Sequence, residues 1–293
     1  MFDIIIIGSG IAGLTAALYG ARAGKSILLL ESNSFGGQII NSNVVENYPG
    51  FKSIDGFSLM KNLFDQVMEY DVTYKVEEVI ELIDKNSLRT SNGIYNGKTI
   101  IIASGLNNRT LGIEDKYVGR GVSYCASCDG NFFRNRDVAV IGGGNTAFED
   151  VLYLSNIVNK IYLINRRNEF RAEDYLVNKV KVLNNVEIIT PANVISINGD
   201  NLISSIELDN GRVIEINGLF LAIGKIPNTK IYQDLINLDD DGYVVSDDCN
   251  TNIDNIFVAG DIRTKSLRQL VTAASDGAIA ANLAINYLNK IDI

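Results

Sequence analysis

The chain has 293 residues, 46% of them hydrophobic, and carries 26 Lys and Arg against 35 Asp and Glu, for a formal net charge of −9. That length exceeds one ordinary compact domain and suits two. The negative charge argues against nucleic acid, whose phosphates need Lys/Arg neutralisation, and more weakly against an anionic membrane surface.

There is no histidine. Imidazole acid–base chemistry, His metal sites and His-dependent triads are removed together, so any proton transfer falls to a carboxyl, a thiol, a Tyr, a Lys or water. No run reaches the roughly 20 apolar residues of a membrane helix. The run Ile4 to Ile7 is too short for a signal-peptide core, and Asp3 stands where a positive region would be. A cytoplasmic location is expected. Thiols are kept reduced there, so a close cysteine pair points to catalysis or metal binding rather than to a structural bond.

Phe2 to Ile7 reads as a buried parallel strand. Gly8-Ser9-Gly10-Ile11-Ala12-Gly13 follows, then Leu14 to Ala23 as a helix, then a strand from Ser26 to Leu30 ending at Glu31. In such a unit Gly8 permits the tight turn, Gly10 lets the backbone approach a pyrophosphate and Gly13 lets helix and strand pack closely. The helix N-terminus offers N–H groups to the phosphates. Glu31 stands where a carboxylate would meet a ribose hydroxyl. Strand, glycines, helix and carboxylate agree, so a dinucleotide reading outweighs that of an ordinary turn.

Cys125-Ala126-Ser127-Cys128-Asp129 comes next among the informative segments. A zinc site would need further ligands, and only Cys249 remains elsewhere, so zinc is nearly excluded. A buried inert pair fits poorly with so polar a context. A redox disulfide is the stronger reading, with Asp129 able to carry the proton that no histidine can. Cys249 reads as structural.

The nucleotide pattern then repeats. Asp137 to Ile141 is a strand, Gly142-Gly143-Gly144-Asn145-Thr146-Ala147 the turn, Ala147 to Asn156 a helix, and Lys160 to Ile164 a strand. No acidic residue closes this second strand. Instead Asn165 is followed by Arg166, Arg167 and Arg171, and the planar fork of arginine matches a 2′-phosphate. This unit reads as an NADPH site. Turn-rich stretches at Ser104 to Gly112 and Gly224 to Thr229 mark boundaries. Beyond them Ile256 to Asp261 reads as a strand and Leu270 to Leu288 as a helix. One strand and one helix are too little for a third domain, so this segment is expected to fold back onto the first.

Taken together the chain resembles the low-molecular-weight thioredoxin reductases along essentially its whole length. The matching motifs include both glycine turns, Gly36-Gly37-Gln38, Glu46-Asn47-Tyr48-Pro49-Gly50-Phe51, Gly119-Arg120-Gly121, the Cys125–Cys128–Asp129 segment, Phe170-Arg171-Ala172, Ala259-Gly260-Asp261 and Arg268-Gln269. The resemblance implies an α/β fold of two Rossmann-like three-layer nucleotide-binding domains. The NADPH domain (112–229, with the redox cysteines) is inserted into a discontinuous FAD domain (1–111 and 230–293).

It further implies a homodimer and NADPH-dependent thioredoxin-disulfide reductase activity through non-covalent FAD, with domain rotation between half-reactions. Cys128 would face the flavin, Cys125 would attack the partner disulfide and Asp129 would be the general acid. FAD would be held by Gly8, Ser9, Gly10, Ile11, Ala12, Gly13, Glu31, Ser32, Gly36, Gly37, Gln38, Asn47, Ala103, Gly105, Gly260, Asp261, Arg268, Gln269 and Leu270. Gly142, Gly144, Asn145, Thr146, Arg166, Arg167 and Arg171 would hold NADPH, and Arg120 would help dock thioredoxin. The chain departs from the family at Asn165, where the family commonly has His.

The larger disulfide reductases carry their cysteines in the first nucleotide unit, where this chain has none. A same-fold dithiol enzyme using ferredoxin or oxygen would show an eroded second glycine turn and lost arginines, and neither is seen. A redox-silent flavin-binding protein would not need the cysteine pair.

Overall fold

The computed structural model describes residues 1–42 and 44–291. The chain forms two compact units, Met1–Asn107 with Ile226–Ile293, and Asn108–Lys225. Among the described residues no helix is long and apolar enough to cross a membrane.

The first unit begins with β1 (Phe2–Ile7), α1 (Ile11–Arg22), β2 (Ile27–Glu31), α2 (Gly56–Met68), β3 (Val72–Val76), β4 (Val79–Leu82), β5 (Ser87–Thr90) and β6 (Gly93–Ile102). The continuous apolar character of β1 follows from burial on both faces. Ile4 and Ile6 join Leu29 in the layer with α1, whereas Ile5 and Ile7 join Leu28, Leu30, Leu82 and Leu88 on the opposite face. Each such side chain contributes roughly 1.5–3 kcal/mol when fully buried, which fixes the strand in the middle of the sheet. The sheet runs β3-β2-β1-β6-β5-β4. β1, β2 and β3 are parallel, and the far half of β6 runs parallel to β1. Its near half pairs antiparallel with β5.

β7 (Leu106–Asn108) carries the chain out of the first unit. The second unit holds β8 (Val122–Ser123), α3 (Ala126–Asp129), β9 (Asp137–Ile141), α4 (Asn145–Leu154), β10 (Lys160–Ile164), α5 (Asp174–Lys181), β11 (Val186–Ile189), β12 (Val194–Gly199), β13 (Ile203–Leu208), β14 (Val213–Glu215) and β15 (Gly218–Leu221). Its main sheet is wholly parallel, in the order β11-β10-β9-β15-β8, and β12 to β14 form a small antiparallel sheet. β16 (Lys225–Pro227) leads back to β17 (Ile256–Val258) and α6 (Leu270–Ile291).

β17 pairs parallel with β6, so the C-terminal segment does complete the first unit. α6 lies against α1, and the contact explains its alanines. Ala273, Ala280, Ala281 and Ala284 are buried there, and a Cβ at Gly277 would come within 2.2 Å of the Ala12 carbonyl oxygen.

Two helix starts differ from expectation. α1 begins at Ile11 and α4 at Asn145, because Gly10 and Gly144 are extended N-caps and the helix starts at once behind each. The strand expected to run to Asp261 stops at Val258, where Gly260 takes φ +83°.

Candidate active site

Cys125 and Cys128 are joined by a disulfide with their Cα atoms 5.3 Å apart. Cys125 is the extended N-cap of α3, and Asp129 closes that helix by donating its N–H to the Cys125 carbonyl (3.1 Å). Ser123, at the end of β8, is bound at both ends of this turn. Its hydroxyl donates to Asp129 Oδ2 at 2.6 Å and accepts the Cys125 N–H at 3.0 Å. Burial raises the Asp129 carboxyl above the usual carboxylate range, and the Ser123 hydrogen bond works against that rise.

Tyr124 is anchored behind the cysteines. Its hydroxyl donates to Glu114 (2.9 Å), a fully buried carboxylate that also accepts the N–H groups of Leu111 and Ile113. Cys249 lies elsewhere, in the core of the first unit, where burial pushes its thiol up to about 12.

In the first unit the predicted FAD residues gather at the carboxyl ends of β1, β2, β6 and β17, the usual ligand edge of an open parallel sheet. Gly8 takes φ +101°, and a Cβ there would meet the Ala103 carbonyl oxygen at 2.4 Å. A Cβ at Gly13 would fall 1.8 Å from the Gly8 carbonyl oxygen, whereas Gly10 faces open space.

Glu31 is committed to the turn itself. One carboxylate oxygen accepts the Ser9 N–H and hydroxyl (2.8 and 2.9 Å), and the other accepts the N–H and hydroxyl of Ser32 (2.8 and 3.1 Å). The backbone of Gly36 donates to Ser9, Gln38 donates to the Leu106 carbonyl, and Asn47 donates to Gln269. Gly105, at φ +62°, accepts the Asn228 N–H. Arg268 donates to the carbonyls of Asp261 and Arg263 and lies 4.1 Å over the Tyr243 ring.

One feature of this edge has no sequence signature. Asp276, on α6 and 4% exposed, accepts the Gly260 N–H (3.1 Å), two bonds from Arg263 (3.0 and 3.1 Å) and one from Lys265 (2.6 Å). Burial works to raise this carboxyl, but the two cations outweigh it and hold it below the usual range.

The second unit repeats the cradle. Gly142 has φ +153°, and a Cβ there would meet the Ala222 carbonyl oxygen at 2.4 Å, while Gly144 faces open space. Asn145 exchanges hydrogen bonds with Glu173, and Thr146 is exposed beside it. Asn165 is buried; its amide donates to the carbonyls of Arg167 (2.6 Å) and Glu169 (3.1 Å), which shapes the basic turn. The Arg171 N–H donates to Gly143 (2.7 Å). Arg166, Arg167 and Arg171 are exposed, and among the described residues none forms an ion pair. Arg120 is exposed as well.

The profile of the pyridine nucleotide-disulphide oxidoreductases matches residues 2–277. The chain belongs to this family. It is similar to the thioredoxin reductase of Listeria monocytogenes, 38% identical over 99% of this chain and 95% of that one, and to that of Treponema pallidum, 37% identical over 99% and 98%. The crystal structure of thioredoxin reductase from Streptococcus pyogenes superposes with a TM-score of 0.92 at 37% identity, covering 99% of both chains. That from Giardia duodenalis gives 0.91 at 31%, covering 98% and 99%.

Family membership accounts for two glycine cradles in one oxidoreductase chain, and both fit a dinucleotide on their own geometry. In each, the first glycine admits no side chain against a backbone carbonyl and the glycine before the helix leaves open the space a pyrophosphate needs. Among the described residues no group of three or more Cys, Asp or Glu could hold a metal ion.

Proposed function

We propose that this chain reduces the disulfide of thioredoxin or a thioredoxin-like protein with electrons from NADPH. The observation that carries the reading is the Cys125–Cys128 disulfide in a unit that has its own glycine cradle and three arginines that form no ion pair among the described residues. The full-length likeness to thioredoxin reductases supports it.

FAD, bound without a covalent link in the first unit, would supply two-electron transfer between nicotinamide and disulfide. Gly8 to Gly13, Gly36 to Gln38, Ala103, Gly105, Gly260, Asp261 and Arg268 to Leu270 would hold it, with Asn47 supporting Gln269. Glu31 and Ser32 would hold the ribose side of the turn. Gly142 to Thr146 would seat the NADPH pyrophosphate, and Arg166, Arg167 and Arg171 its 2′-phosphate. The cysteine pair and the NADPH cradle share one unit and the FAD cradle belongs to the other, so the reading includes rotation about the two chain crossings.

In the exchange step Cys125, as thiolate, attacks the partner disulfide, Cys128 resolves the mixed disulfide, and Asp129 manages the proton at Cys128. Arg120 would aid docking, and the working form would be a cytoplasmic homodimer. Anaerobic titration of the FAD-loaded protein with NADPH, followed by thioredoxin, tests the reading. Bleaching of the flavin by NADPH and its return on adding thioredoxin are expected. Bleaching by NADPH with no response to any thioredoxin would refute the assigned substrate.

A further inference from the structure

We propose that Ser123 is a positioning residue that determines which oxygen of Asp129 carries the catalytic proton and holds that acid against the cysteine turn. The inference deepens the proposed function and rests on its assignment of Asp129 as the acid.

Ser123 has one hydroxyl proton. The 2.6 Å approach to Asp129 Oδ2 commits that proton to the carboxylate, because the other acceptor within reach, the Cys125 carbonyl, is 3.4 Å away. The Ser123 oxygen is in turn occupied by the Cys125 N–H at 3.0 Å. Oδ2 is therefore filled by a donor, and Oδ1 makes no hydrogen bond among the described residues. A proton taken up by this carboxyl resides on Oδ1, and that is the oxygen from which it leaves.

The same hydroxyl links the acid to the N-cap of α3. Asp129 is thus fixed relative to Cys125 by two bonds, its own N–H to the Cys125 carbonyl and the Ser123 bridge.

The other titratable groups near the turn do not set the Asp129 carboxyl, although burial pushes Asp150 itself up to about 7. Tyr124 gives its hydroxyl to Glu114. On α4, which packs on α3, stand Glu149, Asp150 and Tyr153. None of them shifts the Asp129 carboxyl, where burial is set against Ser123 alone.

Cleavage of the internal disulfide by an external thiolate shows the step. The incoming sulfur bonds to Cys125 Sγ, the Cys125–Cys128 bond breaks, and its electron pair passes to Cys128 Sγ. The Oδ1 proton then moves to that sulfur, and the reagent is oxidised in closing its own disulfide.

A general acid works while protonated, so the rate falls as pH rises through its pKa. Removing the Ser123 hydroxyl leaves burial unopposed, so the pKa rises and the falling limb moves to higher pH. A hydrogen bond to a charged group corresponds to about one pH unit or more.

The experiment measures dithiothreitol cleavage of the Cys125–Cys128 bond in the FAD-loaded protein. Alkylation and mass spectrometry give the rate, corrected for reagent thiolate, across pH. Ser123→Ala is expected to lower the plateau and move the limb upward by about one pH unit. Ser123→Thr is expected to restore both, and Asp129→Asn to abolish the limb. A lower plateau with an unmoved limb in Ser123→Ala, or failure of Thr to restore it, would overturn the proposal, as would a limb that persists in Asp129→Asn. Turnover of wild-type protein with NADPH and thioredoxin is run in parallel. It reads the functional assignment separately, since the dithiothreitol step needs neither NADPH nor thioredoxin.

Discussion

The Asp276 cluster gives the sharpest energetic test of the first unit. One buried carboxylate serves Arg263 and Lys265, whose side chains are 14% and 8% exposed, and it also takes the Gly260 N–H. Asp276→Ala leaves two largely buried cations and one backbone donor without their carboxylate, with Arg263 keeping only Ser246 and the Thr264 carbonyl. Breaking a buried ion pair from one side costs about 3–5 kcal/mol, against a total stability of roughly 5–15 kcal/mol for a domain. Asp276→Asn keeps one acceptor oxygen and is expected to fall between wild type and Ala.

The sign with pH is fixed by the depressed carboxyl. Its contribution is present above the unfolded pKa of about 3.9 and is lost as pH falls through the folded pKa. The gap between wild type and Asp276→Ala should therefore be full at neutral pH and close in acid. Urea denaturation of the flavin-free protein at several pH values, followed by tryptic mapping of the transition belonging to the first unit, measures it. A loss under about 1 kcal/mol at neutral pH, or a gap that does not change with acid, would refute the reasoning. FAD retention should fall with stability, because Gly260 belongs to the proposed flavin edge.

Three further outcomes are expected. NADPH should be strongly preferred over NADH, and each of Arg166, Arg167 and Arg171 changed to Ala should lower NADPH kcat/KM by roughly tenfold or more, since charge-assisted bonds contribute about 1.5–3 kcal/mol each; equal kcat/KM for the two nucleotides would count against the site. Cys128→Ser should trap a stable mixed disulfide between Cys125 and a single-cysteine thioredoxin activated beforehand as its mixed disulfide with thionitrobenzoate, which leaves as the thiolate when Cys125 attacks, detected by mass spectrometry, whereas Cys125→Ser should trap none; the reverse pattern would exchange the two roles. Glu31→Ala should reduce FAD content while leaving NADPH binding intact, because the carboxylate organises Ser9 and Ser32 in the first unit only, and loss of NADPH binding instead would show that the two cradles have been assigned the wrong way round.

What could be read in the sequence was the part with a local period or a fixed spacing. The two strand–glycine–helix units show themselves because a tight turn, a close backbone approach and a helix start each demand glycine at a set interval. The return of the C-terminal segment to the first sheet was legible because one strand and one helix cannot bury a core alone. The antiparallel pieces β4–β5 and β12–β14 gave no comparable sign. Their strands mix buried with exposed positions instead of forming one apolar run, and they pair with sequence neighbours through turns that carry no fixed glycine spacing.

The site shows the same division. Cys125, Cys128 and the arginines stand out by residue type, but the groups that hold them in place do not. Ser123 is one serine among many until β8 sets it beside Asp129. Asp276 lies 13 residues from Arg263 and has no motif to mark it.

Asn165 stands out by sequence, and its structural role is local. Read against the family pattern it is a substitution that bears on NADPH. In the structure its buried amide is spent on the carbonyls of Arg167 and Glu169, and its side chain lies where a Cβ on Gly143 would sit, 2.5 Å from its oxygen. Its role is in the shape of the basic turn, so any effect on the proposed NADPH site comes from its chemistry as a donor more than from its capacity for charge. A motif comparison ranks it by identity, whereas the hydrogen bonds rank it by what it holds.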